Sequence, residues 1–495
     1  MSLAQHLPAL QVVLPLLAAP LTVLLRQRHL AFAVVLVATW GALAVSVLLW
    51  LQVERSGTVA YAIGSWSPPW GIEYRIDRLG AFMVVLVCAI AAIVLPYSRA
   101  SIEREMPVRQ HYLYYTMFAL CLTGLLGICI TGDAFNIFVF REISSLATYV
   151  LIAMGRDRRA LVAAYQYLIM GTIGATFFII GVGLLYLMTG TLNLADMALR
   201  LSGERGTRPV LTALAFITVG MSLKLALFPL HQWLPNAYTY APSAIAAFLA
   251  ATATKVAVYV LLRFYFSVIG PAQIFERLPM QEMMLVLALG GMFVASAVAM
   301  FQTNLKRLFA YSSVAQIAYI ILGLSFNSVT GLAASIVHMA NHAMTKGALF
   351  MLLGGVAAAV GGVDFKHIRG LGRRMPLTSF GIVIGGLSLI GVPGTAGFIS
   401  KWMLVQAAVQ QSRWWLVLLI VLSSMLAIVY VWRFVEAAYV QASDEPAPAV
   451  KEAPLSMLLP SALMVAAIVY FGIDTTWTLG SATQAAEALM QGMRR

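Results

Sequence analysis

Long apolar segments recur from one end of this chain to the other, and they constrain its fold more than any other feature. A helix needs about 20 mostly apolar residues to cross the ~30 Å hydrocarbon core of a bilayer. Hydrophobic side chains make up 61% of the 495 residues, and only 10% are charged. The sequence therefore predicts an all-α integral membrane protein with about fourteen transmembrane helices, at 7–25, 30–52, 79–97, 112–131, 134–154, 160–189, 209–232, 240–265, 280–301, 308–326, 330–358, 377–410, 414–438 and 454–473.

The loops between these segments are too short to hold a soluble catalytic domain. The sequence has neither a Walker lysine in a glycine-rich loop nor a dinucleotide-binding fingerprint. Its three cysteines, Cys88, Cys121 and Cys129, lie within apolar runs and lack metal-ligand spacing. We therefore expect that this chain neither hydrolyses ATP nor transfers electrons and is not itself an enzyme, with no cofactor and no metal site.

The net charge of +13 is spread over short loops, which argues against a nucleic-acid partner. Half of the 32 Lys and Arg residues fall in loops that are cytoplasmic if the N-terminus lies outside. The positive-inside rule favours that orientation. Two polar stretches have a local interpretation: 64–78 predicts an outer turn or small hairpin, and 443–454 predicts a linker before the last helix.

Two of the apolar segments are interrupted. The run that holds Lys224 contains Pro229, and the run that holds Lys401 is broken at 391–397, where Pro393 lies. A proline frees a helical carbonyl, which is tolerable in a membrane only where water or polar groups line the site. Paired breaks in the two halves of a chain are typical of inverted-repeat transporters.

Several ionisable residues lie deep inside apolar runs, where a charge costs about 2.5–3.5 kcal/mol and usually has a function. Glu142 directly follows Arg141, but adjacent helical residues do not face each other, so we expect a partner elsewhere. Lys224 is the candidate, as a switching pair or as a structural salt bridge beside the kink. Lys255 is a candidate proton relay, the alternative being a buried structural cation.

His338, His342 and Lys346 recur every four residues and therefore share one helix face. Histidine titrates near neutrality, so this stripe suits proton transfer through water. Lys401 is a candidate terminal proton site or, alternatively, a cap on the broken half-helix. By contrast, Lys306 with Arg307 is interpreted as a boundary anchor, and His231 with Trp233 as interfacial.

The motifs that contain these residues, in this order, resemble the antiporter-like membrane subunits of Mrp-type sodium/proton antiporters, respiratory complex I and membrane-bound hydrogenases. The similarity covers nearly the whole chain. It is most evident in "TGDAFNIFVFREI", "LKRLFAYSSVAQIAYI", "HAMTKGALF" and "GVPGTAGFISKW". The D subunit of the Mrp branch is the most similar, although Asn341 stands where a paired histidine is common.

The resemblance implies two inverted five-helix repeats, each with a broken helix, at 112–265 and 280–438. They would be flanked by N-terminal helices within 1–111 and a last helix with its tail within 454–495. It further implies a multi-pass protein of the bacterial inner membrane that assembles with other hydrophobic subunits. The resulting complex would exchange H⁺ for Na⁺ across the membrane. In that scheme the proton path uses Glu142, Lys224, Lys255, His338, His342, Lys346 and Lys401. The alternative is a proton-pumping subunit of an NADH:quinone oxidoreductase or membrane-bound hydrogenase.

Overall fold

The computed structural model describes residues 3–441 and 452–491, which fold almost entirely into helices. Thirteen helical segments among these residues are long and apolar enough to cross a membrane. The remaining predicted span, 377–410, consists of two 15-residue helices. The all-α transmembrane prediction is therefore confirmed.

The α-helices take their numbers from their order along the chain. They are α1 Leu7–Leu25, α2 Arg28–Ser56, α3 Arg78–Glu105, α4 His111–Ile130, α5 Ala134–Ala153, α6 Arg159–Thr189, α7 Leu194–Arg200, α8 Arg208–Leu225, α9 Trp233–Tyr240, α10 Ser243–Ala251, α11 Ala253–Leu262, α12 Met280–Met300, α13 Leu305–Ser325, α14 Val329–Val360, α15 Phe365–Ile368, α16 Leu371–Arg374, α17 Pro376–Ile390, α18 Ala396–Gln410, α19 Trp414–Val435, α20 Leu455–Ile473 and α21 Thr476–Gln491.

The predicted outer hairpin is present. Strands β1 (Val59–Ala62) and β2 (Glu73–Ile76) pair antiparallel, with Tyr61 opposite Tyr74. Tyr74 also bridges to Thr131 before α5, which ties the hairpin to the helical bundle. The predicted linker at 443–454 falls mainly outside the described residues.

Both predicted helix breaks occur, and both close in a similar way. α8 ends at Leu225, where the Leu227 amide donates to the Ser222 carbonyl at 3.0 Å. α17 ends at Ile390, where the Val392 amide donates to the Leu387 carbonyl at 3.0 Å. These bonds belong to the Schellman closure of a helix end, which requires a left-handed residue. Ala226 (φ 60°) and Gly391 (φ 90°) supply it.

The first break therefore begins three residues before the proline that predicted it. Pro229 lies in the middle of the non-helical segment between α8 and α9. The chain leaves the helix at Ala226, a residue type that gives no sequence signal for a left-handed conformation. Pro393 likewise lies between α17 and α18.

Isolated backbone bridges support the predicted repeat. Asp133, before α5, pairs with Asn193 after α6, and Asn304, before α13, pairs with Asp364 after α14. Each bridge joins the start of the second helix of a predicted unit to the end of the third. Because α5 is the fifth crossing and α13 the tenth, they start on opposite membrane faces, as an inverted repeat requires.

Helices α10, α11, α13 and α14 lie at the centre of the bundle and are almost wholly buried. The regular helix is interrupted at Thr252 (φ −121°, ψ −55°), between α10 and α11. The central helices carry most of the intramembrane charges singled out by the sequence, which places those charges away from lipid.

Candidate functional site

Five of the six lysines that the structure describes are buried: Lys224, Lys255, Lys306, Lys346 and Lys401. Across the described ranges, no ion pair within 4.0 Å involves a lysine. Their ammonium groups bind hydroxyl and carbonyl oxygens instead. Buried charges without a counter-charge are costly, and inside membranes they generally mark ion pathways.

Lys224 occupies the last turn of α8, directly before the first break. Its Nζ donates to Ser145 Oγ at 2.6 Å and to Tyr167 OH at 2.8 Å. The Tyr167 ring stacks on Trp233 with centroids 4.0 Å apart, and the Trp233 indole donates to the Leu223 carbonyl at 2.9 Å. An aromatic pair therefore fixes both the break and the hydroxyl that Lys224 binds.

Glu142 does not form the expected direct pair with Lys224 within the part of the chain that the structure describes. It is half-buried on α5, and Ser145, one turn further on, contacts the lysine. Neighbouring Arg141 is buried, donates to the Gly174 carbonyl at 3.1 Å and lies over the Phe178 ring. The role of Glu142 as switching partner stays a prediction.

A small cavity of about 10 Å³ joins this region to α11. Arg141, Ser144 and Lys224 line one side, and Val256 with Ala257 lines the other. A water molecule needs a cavity of roughly 10–15 Å³ and several polar partners. The cavity is thus the size of one water and lies between Lys224 and the helix that carries Lys255.

Lys255 lies at the interruption between α10 and α11. Its Nζ donates to the Ala250 carbonyl, a group freed from the helical ladder where regular structure stops at Thr252. The side chain is fully buried. Both alternatives for this residue, relay and structural cation, are compatible with that contact.

The predicted histidine stripe exists on α14. The rings of His338 and His342 are 6.2 Å apart, and His338 Nδ1 hydrogen-bonds Ser400 Oγ at 2.8 Å. Both nitrogens of His342 and the Nε2 of His338 are buried, with no hydrogen-bond partner among the described residues. Buried polar atoms of this kind are normally satisfied by water, which is also the medium for proton transfer.

Lys346 continues the stripe by one turn. Its Nζ donates to the Phe309 carbonyl at 2.9 Å and to Ser312 Oγ, both on α13. The stripe is therefore attached to α13 at Lys346 and to α18 through His338 and Ser400.

Lys401, on α18, reaches back across the second break. Its Nζ donates to the carbonyls of Leu389 and Ile390 at 2.8 and 3.0 Å and to Ser424 Oγ at 3.0 Å. It also lies 4.5 Å from the centroid of the Tyr319 ring, which contacts His338. The predicted capping contact is thus present, beside the histidine stripe.

Sequence reasoning missed the hydroxyl partners of these lysines, Ser145, Tyr167, Ser312 and Ser424, and the partner of His338, Ser400. It also misplaced two residues. Trp233, interpreted as interfacial, is 3% exposed because it stacks on Tyr167. Lys306, interpreted as a boundary anchor, is 8% exposed and donates to Ser243 Oγ at 2.9 Å. The only sequence feature that could have identified Lys306 is the free-energy cost of placing a lysine next to an apolar segment.

Residues 131–427 match the family described as "NADH:quinone oxidoreductase/Mrp antiporter, TM". NADH-quinone oxidoreductase subunit N of Desulforudis audaxviator is 40% identical, covering 94% of this chain and 96% of the relative. The D subunit of the Na(+)/H(+) antiporter of Alkalihalophilus pseudofirmus is 32% identical, covering 81% and 80%.

Two solved structures have the same fold. One is a chain of the archaeal membrane-bound sulfane sulfur reductase, with a TM-score of 0.90, 29% identity and 99% coverage of both chains. The other is a chain of the Mrp complex from Dietzia sp., with a TM-score of 0.89, 23% identity and coverage of 99% and 98%. The chain is therefore a multi-pass antiporter-like membrane subunit that belongs to the NADH:quinone oxidoreductase/Mrp antiporter transmembrane family.

Proposed function

We propose that this chain translocates protons as one subunit of a multisubunit monovalent cation/proton antiporter, with Na⁺ as the exchanged cation. The supporting observation is the set of buried lysines that bind hydroxyls and carbonyls rather than carboxylates. A hydroxyl donates as well as accepts, so it suits both the ammonium and the neutral amine form of a lysine. An anionic partner would hold the ammonium form alone.

The proposed path begins at Lys224. When Glu142 and Lys224 interact less strongly, Lys224 releases its proton towards Lys255 through the one-water cavity beside Arg141. The proton then enters the stripe of Lys346, His342 and His338 on α14 and moves towards His338. Lys401 forms the end of the path, and its ammonium lies over the Tyr319 ring, which contacts His338.

The other half of the exchange is assigned to partner subunits. Glu142 is the one acid deep in an apolar run, and it is half-buried at the surface of α5. Na⁺ prefers several oxygen ligands, so we place its path at an interface or in a neighbour. The proposed location is the inner membrane of a bacterium, with the N-terminus outside and the basic loops in the cytoplasm.

The test is proton flux in vesicles that contain the reconstituted complex and an imposed Na⁺ gradient. Lys224→Ala removes the first proton carrier and is expected to abolish flux while the complex assembles normally. Lys366→Ala is the matched control, because Lys366 is exposed on the short helix α15. Flux at the wild-type rate in an assembled Lys224→Ala complex would refute the proposal.

A second candidate is a proton-pumping subunit of a redox-driven complex. It is favoured by the 40% identity to an NADH-quinone oxidoreductase subunit, which exceeds the 32% identity to the antiporter subunit. The same lysines and histidines would then move protons, with electron transfer in partner subunits as the energy source.

Purification of the complex from its native membrane separates the two candidates. Co-purifying hydrophobic subunits without flavin or iron–sulfur absorbance would support the antiporter. Redox subunits with bound cofactors would support the pump, and proton flux should then follow electron transfer rather than a Na⁺ gradient.

A further inference from the structure

A second group of polar side chains lies at the end of the bundle where α3 ends and α10 and α13 begin. Glu105, the last residue of α3, accepts from Ser101 Oγ at 2.7 Å and from the Ser243 amide at 2.8 Å. Lys306 Nζ donates to Ser243 Oγ at 2.9 Å. Glu105, Ser243 and Lys306 therefore form one hydrogen-bonded cluster.

This cluster spans the boundary between the protein interior and the aqueous phase. Glu105 is half-buried, whereas Ser243 and Lys306 are 1% and 8% exposed. A helix cap alone needs only the acceptor that Glu105 supplies. Capping of α10 does not explain why Lys306 is buried against the Ser243 hydroxyl. The cost of burying the Lys306 charge indicates a separate role for this residue.

The cluster lies on the continuation of the histidine stripe. On α14, His338, His342, Lys346, Phe350 and Gly354 follow at intervals of four and therefore share one face. At Gly354 the face meets the cluster, because a Cβ there would collide with Ser243 and with the Tyr97 hydroxyl. Lys306 and the Lys346 partners Phe309 and Ser312 also belong to one helix, α13.

The stripe consequently connects two different places. At His338 it contacts the Tyr319 ring, over which Lys401 lies, and at Gly354, 16 residues further along α14, it contacts the cluster. At 1.5 Å per residue this separation is about 24 Å, most of the hydrocarbon thickness. A relay that crosses a membrane needs an opening at each side, and Lys401 supplies at most one.

We propose that Glu105, Ser243 and Lys306 form the aqueous port of the proton relay at the end of the bundle where α3 ends. The inference rests on the proposed proton translocation. In uptake, a hydronium ion gives its proton to a Glu105 oxygen and leaves as water. The resulting acid gives the proton to a chain of waters that leads past Phe350 to the neutral amine of Lys346, and the carboxylate is restored; release is the reverse.

Other charged and titratable groups face Glu105 from the helices packed around it. Tyr97 and Arg104 belong to α3, Tyr114 to α4 and Lys306 to α13. Phe350 separates Lys346 from Gly354 on α14, so water must pass this ring for the port to connect.

The test uses Glu105→Gln in the reconstituted complex. The amide oxygen still accepts from the Ser243 amide, so the helix cap is retained while proton exchange is lost. Proton flux is expected to fall about 10-fold, and added formate, a small diffusible acid, should restore much of it. Glu103→Gln is the matched control: Glu103 is exposed two residues earlier, and its flux should stay within about twofold, with or without formate.

The outcomes separate this inference from the function on which it rests. Wild-type flux in Glu105→Gln, with flux lost in Lys224→Ala, would overturn the port and keep the relay. A loss in Glu105→Gln that formate does not restore would show a purely structural cap and would also overturn the port. Wild-type flux in Lys224→Ala would overturn the proposed function itself.

Discussion

The two helix breaks present their lysines to different partners. At the first break, Lys224 precedes the interruption and binds two hydroxyls, Ser145 and Tyr167. At the second break, Lys401 follows the interruption and binds two backbone carbonyls of the preceding half-helix, together with Ser424. Both lysines are buried and both lie over a tyrosine ring.

The two sites differ in the hydrogen bonds that remain when the lysine loses its proton. A hydroxyl can turn and donate to a neutral amine, but a carbonyl can only accept. Discharge of Lys401 would leave the carbonyls of Leu389 and Ile390 with a poorer donor at a helix end, whereas discharge of Lys224 need leave no group unpaired. We infer that Lys224 is the freely switching lysine and that Lys401 is coupled to the geometry of its break.

The largest expected effect comes from Lys224→Arg. Arginine keeps the charge and the donors but does not deprotonate in proteins, so proton flux should fall at least about 1,000-fold. The measurement is flux in vesicles, with subunit composition checked on the same preparation. Lys366→Arg, on the exposed short helix α15, should transport normally. Flux in Lys224→Arg near the control rate would mean that Lys224 supplies charge alone.

The next effect separates the breaks by stability. Lys401→Ala removes a donor from the carbonyls of Leu389, which keeps only a 3.5 Å contact to Gln316, and of Ile390, and should destabilise the protein by about 2 kcal/mol. Lys224→Ala leaves only hydroxyls, which can find other partners, and should cost about 1 kcal/mol or less. Thermal unfolding of the purified complexes checks the order, with Gln406→Ala on the exposed face of α18 as the reference. Equal destabilisation by the two lysine variants would contradict the inference that only Lys401 is coupled to the geometry of its helix break.

The tyrosines sharpen the same contrast at smaller magnitude. Tyr167→Phe removes a hydroxyl that binds Lys224 and should lower flux about 10-fold. Tyr319→Phe keeps the ring beneath Lys401 and loses only a 3.3 Å contact to Ser424, so its effect should stay within about twofold. The pair serves as its own control, and the reverse order would contradict the assignment of Lys224 as the switching site.

The smallest effects concern the left-handed residues of the breaks. Gly391→Ala would bring a Cβ to 2.8 Å from the Lys401 stem and should destabilise the protein by about 1 kcal/mol or slightly more. Ala226→Gly relieves a left-handed alanine and should change stability by less than about 1 kcal/mol, in the stabilising direction. The measurement is the unfolding midpoint of each variant compared with wild type. If Ala226→Gly lowered the midpoint more than Gly391→Ala, the packing of the Ala226 methyl group would stabilise the protein by more than its left-handed backbone destabilises it.

The sequence predicted most of the fold because hydropathy alone marks helices that cross a bilayer. It located both breaks through Pro229 and Pro393, but it put the end of α8 too late, since the left-handed Ala226 carries no signal. The interruption at Thr252 was also missed, because neither glycine nor proline is present there.

The charged members of the candidate site were predictable from the cost of burying them, as with Lys224 and Lys346. Their neutral partners were not, because Ser145 and Ser312 are ordinary helix residues until neighbouring helices bring them against a lysine. Lys306 was misjudged because its neighbour Arg307 made the pair look like a boundary anchor, and only the packing of α3, α10 and α13 reveals its burial.

The most direct test of the central claim is nitrogen-15 spectroscopy of the complex labelled at lysine, recorded over the pH range in which it transports protons. The account predicts a neutral amine signal in the wild-type complex that is missing from Lys224→Arg but retained in the control Lys366→Arg. An unchanged set of ammonium signals in a transporting wild-type complex would contradict the claim that Lys224 gives up its proton.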